Sequence, residues 1–321
     1  MSIDSVNGAA GIRNTISGNK AILETENKLA SIMAQKENID SKIELKESEQ
    51  VNKLAETNED EAKQVETEEK IREEAGSDNI KEEDSDDRNA LIRFEDVGKI
   101  YRTGQIVYEA LHDVNLEIME GELVVILGPS GAGKSTLLNL LGGLDAATSG
   151  KIYFGGEDIT SFDDKRLGRF RAIDVGIVFQ FYNLVPTLTA IENVDLMQDL
   201  GVEIMDPLKA LEMVGLADRK DNFPSQLSGG QQQRISIARA IAKMPRLLLC
   251  DEPTGALDTN TGREVLKILQ DQSRIHEKTV VMVTHNSLFA DIADKVVMVK
   301  NGTVEEIIEN DAPLDAEDLN W

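Results

Sequence analysis

Eight consecutive residues have the spacing of a phosphate-binding loop and directly follow the apolar run 123–127. Glycines allow the backbone to curve so that consecutive N–H groups face a polyphosphate, and a helix starting near Lys134 adds the positive end of its dipole. The spacing predicts that Lys134 contacts the outer phosphates and that the Ser135 hydroxyl ligates magnesium. The alternative is a glycine-rich turn that binds no ligand. Lys134 and Ser135 stand at the positions that the motif requires, which disfavours this alternative. The loop consists of Gly128, Pro129, Ser130, Gly131, Ala132, Gly133, Lys134 and Ser135.

Three further apolar runs each end on a polar residue. Continuous Val, Ile and Leu runs of this length, separated by helix-like stretches, are typical of strands in a parallel sheet buried on both faces. Such sheets bind ligands at the carboxyl ends of their strands. We therefore expect the phosphate-binding loop and these polar residues to converge on one edge. The runs and their final polar residues are 175–179 with Gln180, 247–250 with Asp251, and 279–284 with His285.

Two adjacent carboxylates, Asp251 and Glu252, could act on a bound nucleotide. Beside a phosphate-bound metal, Asp251 is suited to a direct or water-mediated magnesium contact. Glu252 is a candidate general base that polarises water for attack on the terminal phosphate. A solvated loop carboxylate is the alternative for Glu252, which the adjoining Asp-Glu-Pro-Thr sequence disfavours. His285 has an alternative as a histidine hydrogen-bonded at a strand end, and we adopt that interpretation for His112 and His276.

The hexapeptide 227–232, Leu-Ser-Gly-Gly-Gln-Gln, indicates an oligomer. Ser228, Gly229 and Gly230 precede a predicted helix over Gln231–Ala242, so they offer a second helix terminus suited to an anion. One phosphate chain does not need two such anion-binding helix termini from the same subunit. The hexapeptide therefore predicts that more than one chain contributes to each nucleotide site.

From Leu91 to the C terminus, the ordered motifs strongly resemble the ATP-binding cassette (ABC) family. The resemblance implies an α/β P-loop NTPase with a mainly parallel sheet core, an antiparallel β subdomain and a small helical subdomain at about 180–230. It also implies that Tyr101 stacks on adenine, although Tyr108 lies nearby and an aromatic residue in a strand is commonly part of the core. Asp258 falls in the segment that corresponds to the family's D-loop.

The resemblance also assigns roles around ATP and Mg²⁺. The expected catalytic residues are Glu252, His285, Lys134 and Gln180. The expected magnesium ligands are Ser135, Gln180 and Asp251. Nucleotide contacts are expected from Tyr101, the loop 128–135, Thr136, Ser228, Gly229, Gly230 and Asp258. In the family, two ATP molecules are sandwiched in a head-to-tail dimer, so a homodimer or a dimer with a related ATPase is expected.

Two segments, 140–145 and 179–186, look like the ATPases of the macrolide-exporter, lipoprotein-release and bacitracin-resistance group. Members of that group pair with separate permeases of the cell-division FtsX type. The C-terminal run 315–321 is also similar to that group. One departure is visible, because Gln231 stands where these relatives mostly have Glu. A polar side chain of equal length keeps the helix start and affects only the strength of contacts between subunits.

No run approaches the roughly 20 apolar residues that span a bilayer, so an integral membrane permease is expected as a separate chain. The ATPase is then expected to be cytoplasmic and peripheral at the cytoplasmic face of the cell membrane. Apolar side chains after Gln180 could form a groove that receives a permease helix, or could pack within the helical subdomain. These residues are Phe181, Tyr182, Leu184 and Leu188.

The composition is consistent with this resemblance. The net charge of -25 argues against nucleic acid as a partner, because phosphate backbones draw on clustered Lys and Arg. The single cysteine excludes a disulfide framework. The N terminus lacks a basic segment followed by an apolar core, so no signal peptide is predicted. One ATPase domain is assigned to 91–321.

Residues 1–90 form a different kind of chain. They contain no Pro and no aromatic residue, and acidic residues outnumber basic ones. Such a segment cannot bury enough apolar surface to offset its ordering entropy. We therefore expect an acidic extension that is disordered or partly helical and lies outside the family resemblance.

Three other functions share parts of this pattern. Non-transport ABC ATPases of the translation type usually carry two cassettes, and those of the chromosome-maintenance type place a long coiled coil between the loop and the hexapeptide. A P-loop kinase would use the same phosphate cradle but has no use for the hexapeptide. An ATPase whose permease transmits force to an extracytoplasmic partner without transport remains open, and so does the transported substrate.

Overall fold

Ten strands and six α-helices form the part of the chain that the computed structural model describes, residues 90–104 and 106–320. The strands are β1 (Ala90–Thr103), β2 (Ile106–Met119), β3 (Leu123–Leu127), β4 (Ser149–Phe154), β5 (Glu157–Asp158), β6 (Val175–Val178), β7 (Leu247–Asp251), β8 (Thr279–Thr284), β9 (Lys295–Lys300) and β10 (Thr303–Glu309). The helices are α1 (Lys134–Leu141), α2 (Asp164–Ile173), α3 (Ala190–Asp195), α4 (Pro207–Met213), α5 (Gly229–Ala242) and α6 (Thr259–Arg274). The extension predicted for 1–90 lies outside the described residues, except for Ala90, which begins β1.

The larger sheet has six strands in the order β10-β9-β3-β8-β7-β6. Five of these strands run parallel, and β10 pairs antiparallel with β9 at the edge. The four apolar runs predicted as parallel strands are the neighbours β3, β8, β7 and β6, so that prediction is confirmed. Along β3, Leu123 and Val125 join one hydrophobic cluster, whereas Val124 and Ile126 join the other. This strand is therefore buried on both faces, as its unbroken apolar sequence indicates.

The smaller sheet is antiparallel and has the order β2-β1-β4-β5. Its apolar side chains, among them Phe94, Val97 and Leu111, belong to the same cluster as Val124 and Ile126 of β3. The two sheets therefore share one core, with β1 and β2 placed beside the strand that leads into the phosphate-binding loop. This arrangement confirms the predicted antiparallel β subdomain.

Between β6 and α5 the chain forms α3, α4 and short 3₁₀ turns. Thr189 caps α3 in a reciprocal arrangement with Glu192, and Asp206 caps α4, which starts with Pro207. The apolar faces of α3 and α4 pack in the cluster that contains α5. These elements form the predicted small helical subdomain. None of the helices in the described ranges is long and apolar enough to cross a membrane.

Candidate functional site

The residues singled out by motif gather at the carboxyl edge of the larger sheet. β3 pairs with β8 through Leu127 and Thr284, and β8 pairs with β7 through Val283 and Asp251. β6 continues the register beside β7. Because these strands are parallel and end together, the segments that follow them emerge on the same side. The phosphate-binding loop, Gln180, the Asp251–Glu252 pair and His285 therefore lie at one edge.

The phosphate-binding loop wraps around its own lysine. Lys134 Nζ donates to the carbonyl oxygens of Gly128 and Pro129, over 2.8 and 3.0 Å. Gly133, the residue before α1, has a φ of 107°, which favours glycine. A β-carbon at Gly133 would lie 2.8 Å from the carbonyl oxygen of Ala110. The loop therefore requires glycine here, and its closed shape holds the Lys134 ammonium against the loop backbone.

Side chains with oxygen atoms, the ligands that magnesium prefers, occur at this edge in Ser135, Gln180 and Asp251. Asp251 is half-buried, and its pKa is raised by desolvation and by the neighbouring Glu252, while Lys134 opposes this rise. Within the described residues, no cluster of three His, Cys, Asp or Glu could hold a metal alone. An ion held by Ser135, Gln180 and Asp251 would therefore need phosphate oxygens to complete its shell, which fits a metal bound together with a nucleotide.

Two side chains from the end of β8 contact the Glu252 carboxylate at this edge. Its carboxylate accepts a hydrogen bond from Thr284 Oγ1 over 3.1 Å, and its other oxygen lies 2.7 Å from His285 Nδ1. An ionised carboxylate can only accept, so Nδ1 carries the proton of that contact. The Glu252 side chain is only 17 % exposed. The motif analysis missed Thr284, because the last residue of an apolar strand carries no distinct signal.

Tyr101 and Tyr108 face each other across the β1–β2 hairpin, where they are paired in register. Tyr101 donates its hydroxyl to Asp145 over 2.8 Å and is 36 % exposed. Tyr108 is also exposed and makes a longer contact, 3.4 Å, with the carbonyl oxygen of Gly131 in the loop. Both rings are therefore near the loop, but only Tyr101 is fixed by a charged partner.

The hexapeptide begins a helix in the manner that its sequence predicts. Ser228 Oγ accepts from the Gln231 N–H over 3.3 Å, and Gln231 Oε1 accepts from the Ser228 N–H over 2.9 Å. Gln231 thus keeps the helix start, as expected for a side chain of this length. The helix itself begins at Gly229, two residues before the predicted start. Sequence reasoning missed this because glycines are poor helix formers.

The hexapeptide and Asp258 belong to one packed unit. Asp258 caps α6 by accepting from the backbone N–H and the hydroxyl of Thr261. Gly230 faces the same threonine, because a β-carbon at this position would lie 1.9 Å from Thr261 Cγ2. The hydrogen bonds of Ser228 and Asp258 run within their own helix starts and not to the phosphate-binding loop. Their expected nucleotide contacts are therefore consistent with a nucleotide on another subunit.

Arg239 ties the segment after Gln180 to α5. Its guanidinium donates to the carbonyl oxygens of Asn183 and Tyr182, over 2.7 and 3.2 Å. The Tyr182 hydroxyl in turn stands close to Gly229, because a β-carbon there would lie 2.7 Å from it. No sequence motif marks Arg239. Its contacts depend on the fold, which brings α5 against the backbone of residues 182–183.

A polar cleft of about 830 Å³ lies away from these motifs, at the amino ends of β3 and β8. Among its lining residues, Arg274 is paired with Asp294, and Glu122 is paired with the nearby Lys295. The motif residues are at the opposite ends of the same strands. The candidate site is therefore the carboxyl edge.

A profile of the family described as "ABC transporter" matches residues 111–255. The matched span runs from β2 through the phosphate-binding loop and the hexapeptide to the residues just after Glu252. An uncharacterised ABC transporter ATP-binding protein of Thermotoga maritima is 49 % identical over 224 residues, which cover 68 % of this chain and 94 % of that protein. The macrolide export ATP-binding/permease protein MacB of Brucella abortus is 43 % identical over 221 residues, or 67 % of this chain and 34 % of MacB.

A solved structure gives the same result at the level of the fold. It is the dimeric post-hydrolysis state of the ATP-binding cassette MJ0796, bound to ADP and Pi. It matches with a TM-score of 0.63 and 40 % identity, over 68 % of this chain and 98 % of that chain. MJ0796 comes from Methanocaldococcus jannaschii. The similarity thus extends over nearly the whole MJ0796 chain and over most of the residues described in this one.

Proposed function

This chain belongs to the ABC transporter family as an ATP-binding, ATP-hydrolysing subunit, and we propose that it drives a separate FtsX-type permease through ATP-dependent dimerisation. The observation that carries the hydrolytic part of the proposal is the 2.7 Å contact between Glu252 and His285 at the carboxyl edge of the sheet. Acid–base chemistry and phosphate binding would thereby occur at one edge of the sheet.

Glu252 is the proposed general base. Its carboxylate would orient a water molecule for attack on the terminal phosphate and would accept the proton that the water loses. Thr284 and His285 each hold one carboxylate oxygen, so the group is fixed before the substrate arrives. Holding a base in place removes the entropy cost of orienting it at the moment of reaction. His285 is 73 % exposed, which leaves its ring accessible to a nucleotide at this edge.

Lys134 is proposed to stabilise the charge that develops on the outer phosphates. Its ammonium is directed into the loop by two carbonyl oxygens and is largely buried. Hydrogen bonds from a fixed, largely buried cation are stronger than they would be in water. Ser135, Gln180 and Asp251 would hold Mg²⁺ together with the phosphate oxygens. The ion supplies Lewis-acid stabilisation of phosphoryl transfer when bound.

The proposed working unit is a dimer in which each hexapeptide covers the ATP of the other subunit. The start of α5 supports this, since the helix dipole at Ser228, Gly229 and Gly230 favours an anion. The dimeric form of MJ0796 supports it by resemblance. A homodimer and a dimer with a related ATPase are both compatible with these features. Closure would exclude water other than the attacking molecule, and hydrolysis would release the two halves.

The permease is proposed to contact the segment after Gln180, at the cytoplasmic face of the membrane. Phe181 is 74 % exposed there, whereas Leu184 packs against the core cluster. Of the two alternatives for the apolar side chains in this segment, the docking groove therefore fits Phe181, and internal packing fits Leu184. The FtsX type is inferred from the resemblance of segments 140–145 and 179–186. Similarity to MacB, an export ATP-binding/permease protein, supports a transport role.

Affinity purification tests this proposal most directly. The Glu252→Gln chain would be isolated from its native membranes with ATP present, because slow hydrolysis should preserve the closed complex. Recovery of an FtsX-type permease would support the proposal. Recovery of ribosomes or chromatin proteins without any membrane protein would contradict it and favour a non-transport ATPase. The Glu252→Gln/Lys134→Ala double variant is the matched control, since it should not close and should lose any partner that requires closure.

A further inference from the structure

Lys99 and Asp145 hold the Tyr101 side chain in a closed triangle. The Tyr101 hydroxyl donates to Asp145 Oδ2 over 2.8 Å, and Lys99 Nζ donates to Asp145 Oδ1 over 2.5 Å. The same ammonium donates to the carbonyl oxygen of Ala146 over 2.7 Å and stands 4.8 Å from the centroid of the Tyr101 ring. Each of the three side chains therefore restrains the other two.

Lys99 is the buried member of this triangle. Lys99 is 9 % exposed, and a buried cation is costly unless it is paired and hydrogen-bonded. Asp145 provides that pairing, and the ring provides a cation–π contact on one face. Because the ammonium lies over that face, a nucleotide base can stack only on the opposite face of Tyr101. The ring remains 36 % exposed for such a contact.

The triangle is also tied to α1, the helix that starts at the phosphate-binding loop. The segment containing Asp145 follows α1, and its Thr148 is bonded twice to β1. Thr148 N–H donates to the Gly98 carbonyl over 2.8 Å, and Thr148 Oγ1 accepts from the Ile100 N–H over 3.0 Å. The residues that hold the ring are therefore connected to the loop through α1 and to β1 through Thr148.

We propose that Asp145 is the positioning residue of the adenine site. Through the Tyr101 hydroxyl and through Lys99, it sets the angle of the ring and its distance from the loop. It thereby determines how much of the ATP affinity comes from the stacking of adenine on Tyr101. Asp145 acts through Tyr101 and is not expected to contact the nucleotide. The inference rests on the proposed stacking role of Tyr101 and deepens it.

The test compares two probes, ATP and inorganic tripolyphosphate, both with Mg²⁺ and the full chain in a calorimeter. Asp145→Ala should weaken ATP binding about five- to tenfold and leave tripolyphosphate binding unchanged, because base–aromatic stacking supplies an effect of this size. Asp145→Asn, which preserves the size of the side chain, should lie between the wild type and Asp145→Ala.

Tyr101→Phe separates positioning from stacking. Phenylalanine keeps the ring but cannot donate to Asp145, so we expect ATP affinity to fall about threefold and tripolyphosphate affinity to stay constant. If the ring needed no positioning, Phe and Tyr would bind ATP equally well. Glu120→Ala is the matched control, because it breaks the 3.0 Å ion pair with Arg246 near the amino end of β3. It should change neither affinity.

A double variant completes the test. Tyr101→Ala should lower ATP affinity at least as much as Asp145→Ala, and combining the two should lower it no further, since both changes act through one ring. Equal losses of ATP and tripolyphosphate affinity in Asp145→Ala, or additive losses in the double variant, would overturn the positioning role of Asp145 but not the stacking role of Tyr101. An unchanged ratio of the two affinities in Tyr101→Ala would overturn the stacking role of Tyr101 as well. If Asp145→Ala fails to fold, Tyr101→Phe and Asp145→Asn still decide the outcome.

Discussion

Glu252 Oε1 and His285 Nδ1 lie 2.7 Å apart, although 33 residues separate them in the chain. They meet because β7 and β8 are parallel neighbours, with Asp251 opposite Val283. Glu252 has a φ of 46°, an uncommon value for a residue other than glycine, and its N–H still donates to the Val283 carbonyl over 2.9 Å. The chain therefore turns out of the sheet after Asp251, while the Glu252 carboxylate stays in contact with Thr284 and His285.

Replacing Glu252 by Gln should abolish most hydrolysis while preserving nucleotide binding. The amide keeps the size of the side chain but cannot accept a proton, so kcat should fall about a hundredfold or more. The variant should also accumulate as an ATP-bound dimer, measurable by light scattering alongside phosphate release. Glu305→Gln, the same change on β10, serves as the control. Wild-type turnover in Glu252→Gln would show that another group is the base.

The Thr284 hydroxyl should contribute to catalysis without contributing to ATP binding. Thr284→Val has nearly the same shape but removes the donor to Glu252 Oε2 and the acceptor of the Asn286 N–H. The loss of the bond to Glu252, worth about 1 kcal/mol, should lower kcat about fivefold. Thr284→Ser retains the hydroxyl and should behave like the wild type. Steady-state ATPase assays with a separate Kd measurement will show this. A raised Kd with unchanged kcat would contradict the assignment.

Lys134→Ala should lose nucleotide affinity first and hydrolysis as a consequence. Hydrogen bonds to charged groups contribute about 1.5–3 kcal/mol each, so ATP binding should weaken roughly ten- to a hundredfold. Calorimetry with ATP measures the effect directly, and Lys165→Ala on α2 is the control. Normal ATP affinity in Lys134→Ala would refute the phosphate-binding assignment of the loop.

Gly230→Ala should impair ATP-driven dimerisation more than ATP binding. The new β-carbon would fall 1.9 Å from Thr261 Cγ2, so the Thr261 side chain or the start of α5 must shift. Overpacking of this kind costs about 1–3 kcal/mol. Adding Thr261→Ser removes the clashing methyl and keeps the hydroxyl that bonds Asp258, so the double variant should recover part of the dimerisation. Failure to recover any would indicate that Gly230 is needed for direct ligand contact and not for packing.

Lys243 should make stability depend on pH above neutrality. Burial lowers the pKa of its ammonium to about 8, partly offset by Asp174, from a usual value of 10.5. Between these two values the unfolded chain holds a proton that the folded chain has lost, so stability rises with pH across this window. The unfolding free energy of the wild type, minus that of Lys243→Met, should therefore increase by about 1 kcal/mol from about pH 7.5 to about pH 9.5, after allowance for partial exposure. Urea denaturation at both pH values provides the measurement, and a constant difference would contradict it.

The sequence by itself determined the parallel strands β3, β6, β7 and β8, because unbroken apolar runs of this length suit strands buried on both faces. It also determined which ends of those strands carry polar residues, since a parallel sheet places all carboxyl ends together. The start of α5 was predictable within two residues, because Ser228 and Gln231 form a local capping arrangement. Each of these features depends on neighbours a few positions apart.

Only the tertiary structure decided which side chains touch across the fold. The contacts of Thr284 and His285 with Glu252 require the register between two strands, and the fit of Gly230 against Thr261 requires the packing of two helix starts. The choice between Tyr101 and Tyr108 is open in the sequence, and it is Asp145, 44 residues away from Tyr101, that fixes one ring. Such contacts depend on chain segments with no shared local pattern. Their geometry is set by side-chain packing, which cannot be predicted from the periodicity of the sequence.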